Sequence, residues 1–133
     1  TILPVEGTPF DLRTPRPLRE GWGAPHPQIQ VGGGYDHNWA LRGEGLRRAA
    51  VLSSPESGIT LEVSTTQPGL QVYTANFLPS LTGKGGAAYG RRGAVALEAQ
   101  GFPNAVNLPQ FPSSVLRKGE RYRQEIRFAF SHS

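Results

Sequence analysis

The sequence holds no cysteine and no methionine among its 133 residues. Without cysteine there is no disulfide framework, no thiolate nucleophile and no thiolate metal ligand. That fits a reducing compartment, and a cytoplasmic location is expected. No apolar run approaches the length of a membrane span, and the opening residues show no signal-peptide pattern, so no membrane partner is expected. Histidine is scarce: His26, His37 and His132 are the three present. None stands at metal-ligand spacing from another, so no metal is expected. A complete translation product begins with methionine, although methionine before a small residue such as Thr1 is open to trimming. The opening TILPVEGTPFDLRTPRPL reads as extended, proline-punctuated chain from the middle of a longer protein.

Glycine and proline are plentiful, at 17 and 12 residues. That composition suits short strands and many turns rather than a helix bundle, and a chain of this length forms one domain with a real core. The formal net charge is +4 and the pI about 10.0, which raises nucleic-acid binding as a hypothesis. The basic residues are spread along the chain, however. In the densest cluster, 117–127, Tyr122, Gln124, Ile126, Phe128 and Phe130 alternate with Arg121, Arg123, Glu125 and Arg127. That is the pattern of a half-buried strand with one wet basic face, and no nucleic-acid partner is expected.

Residues 1–30 read as a loop-rich lead-in across which six prolines forbid continuous regular structure, with Thr8 to Asp11 as a short extended piece. Gly32, Gly33 and Gly34 then allow a sharp bend or a close approach to a ligand. They do not make a dinucleotide fingerprint, because the spacing is wrong and no helix follows. Asn38 to Leu41 and Leu46 to Ser53 are predicted to pair as a hairpin across Arg42-Gly43-Glu44-Gly45. Ile59, Leu61 and Val63 alternate with Thr60, Glu62 and Ser64 as a strand. Pro68-Gly69 is read as the centre of a type II turn, with Leu70 to Asn76 returning as the next strand. There Gln71, Tyr73 and Ala75 share one face, and Leu70, Val72 and Thr74 the other. Residues 79–92 read as a loop, 94–98 as a strand, 101–116 as a proline-rich connection and 120–130 as the last strand. The class expected is all-β, with antiparallel sheets in a sandwich rather than a closed barrel.

One carboxylate stands out locally. Glu98 sits within AVALEAQ at 94–100. A carboxylate set among Ala, Val and Leu is partly desolvated and rigidly held, which suits a general base. An exposed Glu on an edge strand fits the same residues, and the local sequence leaves the two readings open.

Three longer stretches go further. GGGYDHNWAL at 32–41, LQVYTANFL at 70–78 and LEAQGFPNAVNLPQFPSSVLRKGERY at 97–122 resemble, in order and spacing, the C-terminal part of the aldose 1-epimerase (galactose mutarotase) family. The resemblance implies an antiparallel β-sandwich of which residues 1–133 are the C-terminal part. It implies interconversion of the α and β anomers of free aldoses such as galactose or glucose, with no cofactor. Glu98, in Leu97-Glu98-Ala99-Gln100, matches the base that takes the C1 hydroxyl proton. Asp36 matches a carboxylate that binds sugar hydroxyls, and Gln71 a substrate-reaching amide. Both are apt, since a carboxylate accepts from two hydroxyls and an amide both donates and accepts. Tyr73, on the Gln71 face, is a weaker candidate for packing on the sugar ring.

The family's acid histidine, with a second histidine and an arginine, belongs to an N-terminal part that no segment here matches. A second chain carrying that half is therefore the expected partner, and exposed strand edges are expected without it. Were the lone chain active, His37 or His26 would be the candidate acid. A hexose-phosphate substrate would want a basic pocket, to which Arg91 and Arg92 are the available contributors. Two alternatives stay open: a non-catalytic carbohydrate-binding fragment, and a glycoside hydrolase using two carboxylates on a β-scaffold.

Overall fold

The computed structural model describes residues 1–133. Its elements are two short helices, α1 (Leu18–Trp22) and α2 (Pro27–Gly32), and eight strands. The strands are β1 (Asp36–Ala40), β2 (Arg47–Ser53), β3 (Ile59–Thr65), β4 (Gly69–Tyr73), β5 (Leu81–Thr82), β6 (Ala88–Tyr89), β7 (Ala96–Gln100) and β8 (Ile126–His132). Hydrogen-bonded neighbours run β1-β4-β7 in one sheet, β2-β3-β8 in a second and β5-β6 in a small ribbon. The expected all-β class with antiparallel pairing is observed. The chain divides into two compact units, residues 1–37 with 71–97 and residues 38–70 with 98–133.

In the first unit, prolines place turns and helix starts rather than keeping the chain extended. Thr8 to Asp11 is not a strand. It turns, with Thr8 N–H donating to Val5 O (3.1 Å) and Asp11 N–H to Thr8 O (3.2 Å). Pro27 is the first residue of α2, where the missing N–H costs nothing because that donor has no intrahelical acceptor. His26 caps the same end, its Nδ1 accepting from Gln28 N–H at 3.2 Å. Gly33 ends the helix at φ 63°, a left-handed conformation that favours glycine. The signals that start and stop this helix were thus all present in the sequence, hidden by reading the prolines only as breakers.

Tyr35 is the centre of this unit, 0% exposed. Its hydroxyl donates to Pro9 O at 2.6 Å, tying the lead-in to the core. Phe10 packs edge-on to the Tyr35 ring and also to the rings of His26 and His37. Ile29, Val72 and Ala75 complete the apolar core. Nearby, Asp11 grips Arg13 through both carboxylate oxygens (2.8 and 2.7 Å). That guanidinium holds the Asp11 carboxyl down at about 2. Residues 79–92 are not all loop: β5 and β6 pair antiparallel around Gly85 and Gly86, both at positive φ.

In the second unit, β3 is the middle strand. Its alternation is as predicted, with Ile59, Leu61, Val63 and Thr65 on one face. Val63 is 0% exposed, paired with Ala50 on β2 and Phe128 on β8. On the opposite face Arg48 meets Glu62 at 3.6 Å. A bulge between Arg48 and Ala50 inserts one extra β2 residue.

The predicted hairpin between 38–41 and 46–53 does not form. β2 pairs with β3, while β1 neighbours β4. The Arg47 guanidinium explains the diversion: it donates to Arg42 O (3.2 Å), Gly45 O (3.1 Å) and Thr65 O (2.8 Å), pinning the 42–45 connection beside β3. Pro68-Gly69 is likewise no type II turn, since Gly69 lacks the required positive φ. Instead Pro68 O accepts from Leu41 N–H at 2.9 Å, and Gly69 opens β4. A Cβ there would lie 2.6 Å from Asn38 Oδ1, so glycine serves close approach, not the turn.

β8 starts later than predicted, at Ile126, because Glu125 is held by Thr66 in both directions (3.0 and 2.9 Å). Its apolar face was expected to be half-buried. Phe128 is 54% and Phe130 71% exposed, on an edge strand with nothing packed over it. The alternation is that of a strand built to be covered.

The Tyr35 anchor makes a direct prediction. A Cβ on Gly21 would run into the Tyr35 hydroxyl, whereas one on Gly23 meets nothing within 4 Å. Gly21→Ala is expected to destabilise the chain by about 1–3 kcal/mol, as overpacking does. Gly23→Ala is expected to change the denaturation midpoint little. Equal effects in urea melts would contradict the role given to Tyr35.

Candidate functional site

Asp36 opens β1 and Gln71 lies on β4. The structure brings the two together: Gln71 Nε2 donates to Asp36 Oδ1 at 2.8 Å. The carboxylate fixes the amide orientation, because only the NH₂ end can donate to it. Asp36 is exposed, and its second oxygen has no protein donor. Gln71 Oε1 is buried with no hydrogen-bond partner. An unpartnered buried acceptor costs about 1–3 kcal/mol. The exposed Asp36 carboxylate therefore offers an acceptor to a ligand that brings donors, as a polyhydroxylated molecule does, while Gln71 Oε1 is an unpartnered acceptor enclosed beside it.

The backbone leading to Asp36 is held by side chains the sequence reading passed over. Asn76, 1% exposed, donates to Gly32 O and Tyr35 O, both at 2.8 Å. Its Oδ1 accepts from Thr74 Oγ1 at 2.7 Å. Thr74 Oγ1 in turn accepts from Tyr35 N–H at 3.1 Å. Gly34, at φ 147°, has no room for a side chain, because Asn76 Oδ1 occupies the space a Cβ would take. The glycine run thus serves a close approach, as expected, but the group approached is Asn76. An Asn three residues past the end of β4, downstream of a glycine run, was the available signal.

Arg92 closes the arrangement. Its Nη2 donates to Gly33 O at 2.9 Å, its own N–H to Ala75 O at 2.9 Å, and its guanidinium lies 4.8 Å over the Trp22 ring. These bonds commit Arg92 to holding the chain. Tyr73 is also committed, its hydroxyl accepting from Phe77 N–H at 3.1 Å.

The histidines do structural work. His37 Nδ1 accepts the Asp36 N–H at 3.0 Å, and its ring packs on Phe10 at 4.7 Å. Burial pushes its pKa down from the usual 6.5, against the pull of Asp36 and a backbone bond to Gln28. His26 caps α2. His132 lies on β8, opposite Ile59. No group of three or more His, Asp or Glu is placed to hold a metal ion.

Glu98 lies on β7, in the second unit, and is exposed. Of the two readings the local sequence left open, the exposed Glu is the one observed in this chain. Alternation sends Leu97 and Ala99 to the opposite face, and the face Glu98 shares carries only Ala96 and Gln100. In the same unit Gln100 Nε2 reaches Asn38 Oδ1 at 3.4 Å, and Phe102 packs edge-on to Phe111 at 5.2 Å, bracing the proline-rich connection.

The architecture is all-β with antiparallel pairing, and the comparisons assign its family. The aldose 1-epimerase family model matches residues 1–129, so the chain belongs to the aldose 1-epimerase family. Galactose mutarotase from Mus musculus is 46% identical over 132 residues, 98% of this chain and 37% of the relative. Aldose 1-epimerase from Haemophilus influenzae is 32% identical over 128 residues, 95% of this chain and 37% of the relative. The crystal structure of the GalM/aldose epimerase homologue from C. elegans superposes with a TM-score of 0.81 at 31% identity, over 96% of this chain and 38% of that one. The fold is thus that of a β-sandwich fragment. The chain spans little more than a third of the length of these relatives. No helix is long and apolar enough to cross a membrane.

The His37 environment carries a pH dependence of defined sign. With its folded pKa below 6.5, the folded state binds fewer protons than the unfolded state as pH falls past that value. The stability is fully present above about pH 6.5 and is lost on acidification below it. Thermal midpoints measured from pH 7.5 to 5 are expected to fall, and His37→Gln is expected to flatten that fall. An unchanged slope in the variant would show that other groups dominate.

Proposed function

We propose that this chain supplies the base and part of the sugar site of an aldose 1-epimerase, acting on free aldoses such as galactose or glucose. The observation that carries this reading is the Gln71–Asp36 pair, bonded at 2.8 Å with acceptors to spare, in a chain of this family. Asp36 accepts from ring hydroxyls. Gln71 holds that carboxylate through Nε2, and its enclosed, unpartnered Oε1 takes a further hydroxyl donor once the side chain turns toward the ligand, recovering the cost of its unpartnered state. Glu98 acts as general base on the C1 hydroxyl while an acid protonates the ring oxygen; the ring opens, the aldehyde end rotates, and the ring recloses on the other face.

The acid comes from outside these 133 residues. Nδ1 of both His26 and His37 accepts a backbone N–H, and both rings pack on Phe10, which suits a structural role. A longer form of the chain, or a second chain carrying the N-terminal half, supplies it. The uncovered Phe128 and Phe130 face supports this, since a layer of that half would bury it. We place the protein in the cytoplasm, in keeping with its lack of cysteine. Family membership favours anomer exchange over glycoside hydrolysis, and a binding-only fragment is an outcome of the test below.

Anomer exchange of α-galactose, followed by polarimetry, tests the reading. The chain would be assayed alone and with a separately produced N-terminal portion of the mouse relative. Exchange is expected in the mixture. Glu98→Gln is expected to slow it by about 10²–10⁴-fold, the usual contribution of one positioned base. Galactose binding without exchange in the mixture would favour the carbohydrate-binding alternative. An unimpaired Glu98→Gln variant would remove Glu98 from the chemistry.

A further inference from the structure

The geometry points to Thr74 and Asn76 as positioning residues for Asp36, acting through the backbone of residues 32–35. The inference rests on the sugar-binding reading of Asp36 only for its functional consequence; the positioning itself is a matter of geometry. Four backbone groups just before Asp36 are held by side chains: Gly32 O and Tyr35 O by Asn76, Gly33 O by Arg92, and Tyr35 N–H by Thr74. Thr74 N–H adds a bond to Tyr35 O at 3.1 Å. Both polar groups of the Tyr35 backbone are thereby fixed, one residue ahead of the carboxylate.

Asn76 spends both amide hydrogens and its oxygen inside this cluster. A buried polar network in which each member is satisfied is rigid and fixes one geometry. An apolar residue at 76 would take the Asn76 donor from Gly32 O and leave Tyr35 O to Thr74 alone. Gly34 shows how tight the fit is, since its position tolerates no Cβ beside Asn76. The partner of Asp36 is set by the same segment: Gln71 lies on β4, which runs directly into Thr74 and Asn76. One piece of chain therefore carries both the amide that binds the Asp36 carboxylate and the side chains that aim the backbone bearing it.

The test removes one hydroxyl. Thr74→Val keeps the shape and loses the hydroxyl that links Tyr35 N–H to Asn76 Oδ1; Thr74→Ser restores it. The readout is the Gln71 side-chain NH₂ resonances in an ¹H–¹⁵N spectrum of the full chain, with their unpaired position given by Asp36→Ala, which removes the acceptor. Thr74→Val is expected to move them toward the Asp36→Ala position, and Thr74→Ser to return them. A merely structural role would lower the melting temperature and leave them in place, and that result would overturn the proposal. Should Thr74→Val give no folded spectrum, Arg92→Gln loosens the same segment at Gly33 O from its half-exposed rim, with the same two outcomes. Galactose titrated into the same samples is expected to bind about tenfold more weakly to Thr74→Val than to wild type, the loss of roughly one hydrogen bond to a charged group. If wild type binds no galactose while the NH₂ resonances respond as expected, the sugar reading of Asp36 fails and its positioning stands.

Discussion

The first unit depends on a polar interaction where an apolar one would be expected. The amide of Asn76, buried between Gly32, Tyr35 and Thr74, is what allows three glycines and a tyrosine to turn sharply inside a core and emerge at Asp36. Burying an amide without partners costs several kcal/mol, and here the cost is offset because both donors and the oxygen of the amide find buried partners. Tyr35 then extends the arrangement outward. Its ring fills the core and its hydroxyl holds Pro9, so the lead-in is fastened by the residue that precedes the site carboxylate.

The second unit rests on a different principle. β3 is a middle strand whose apolar face is shared by β2 and β8 in regular antiparallel register. Burial falls off from Val63 outward to Phe130. A sheet that ends in exposed phenylalanines on an edge strand has more apolar face than this chain can cover. Its relatives are more than twice as long.

Local alternation made some of this legible. Ile59-Leu61-Val63 and Leu70-Val72 were read correctly, because period-two patterns report which side of a strand is covered. Asp36 and Gln71 came from the family resemblance and not from alternation; the structure bonds them to each other. Pairing partners were not legible. The 38–53 hairpin looked right locally, yet Arg47 binds three carbonyls and fixes a different neighbour, a choice made by one side chain that no periodicity encodes. Asn76 and Thr74 escaped notice because polar residues at a strand end usually face water. Pro27 escaped because a helix start and a chain break look alike until the N-cap and the C-terminal glycine are weighed together.

In the proposed reaction Asp36 and Gln71 hold an aldose while Glu98 removes its anomeric proton. A crystal structure of the chain with the complementary N-terminal portion of a relative, soaked with galactose, tests this. A Glu98 carboxylate oxygen is expected within hydrogen-bond distance of the sugar O1, with ring hydroxyls on Asp36 and Gln71. Galactose bound with its O1 away from Glu98, or held by residues other than Asp36 and Gln71, would contradict it.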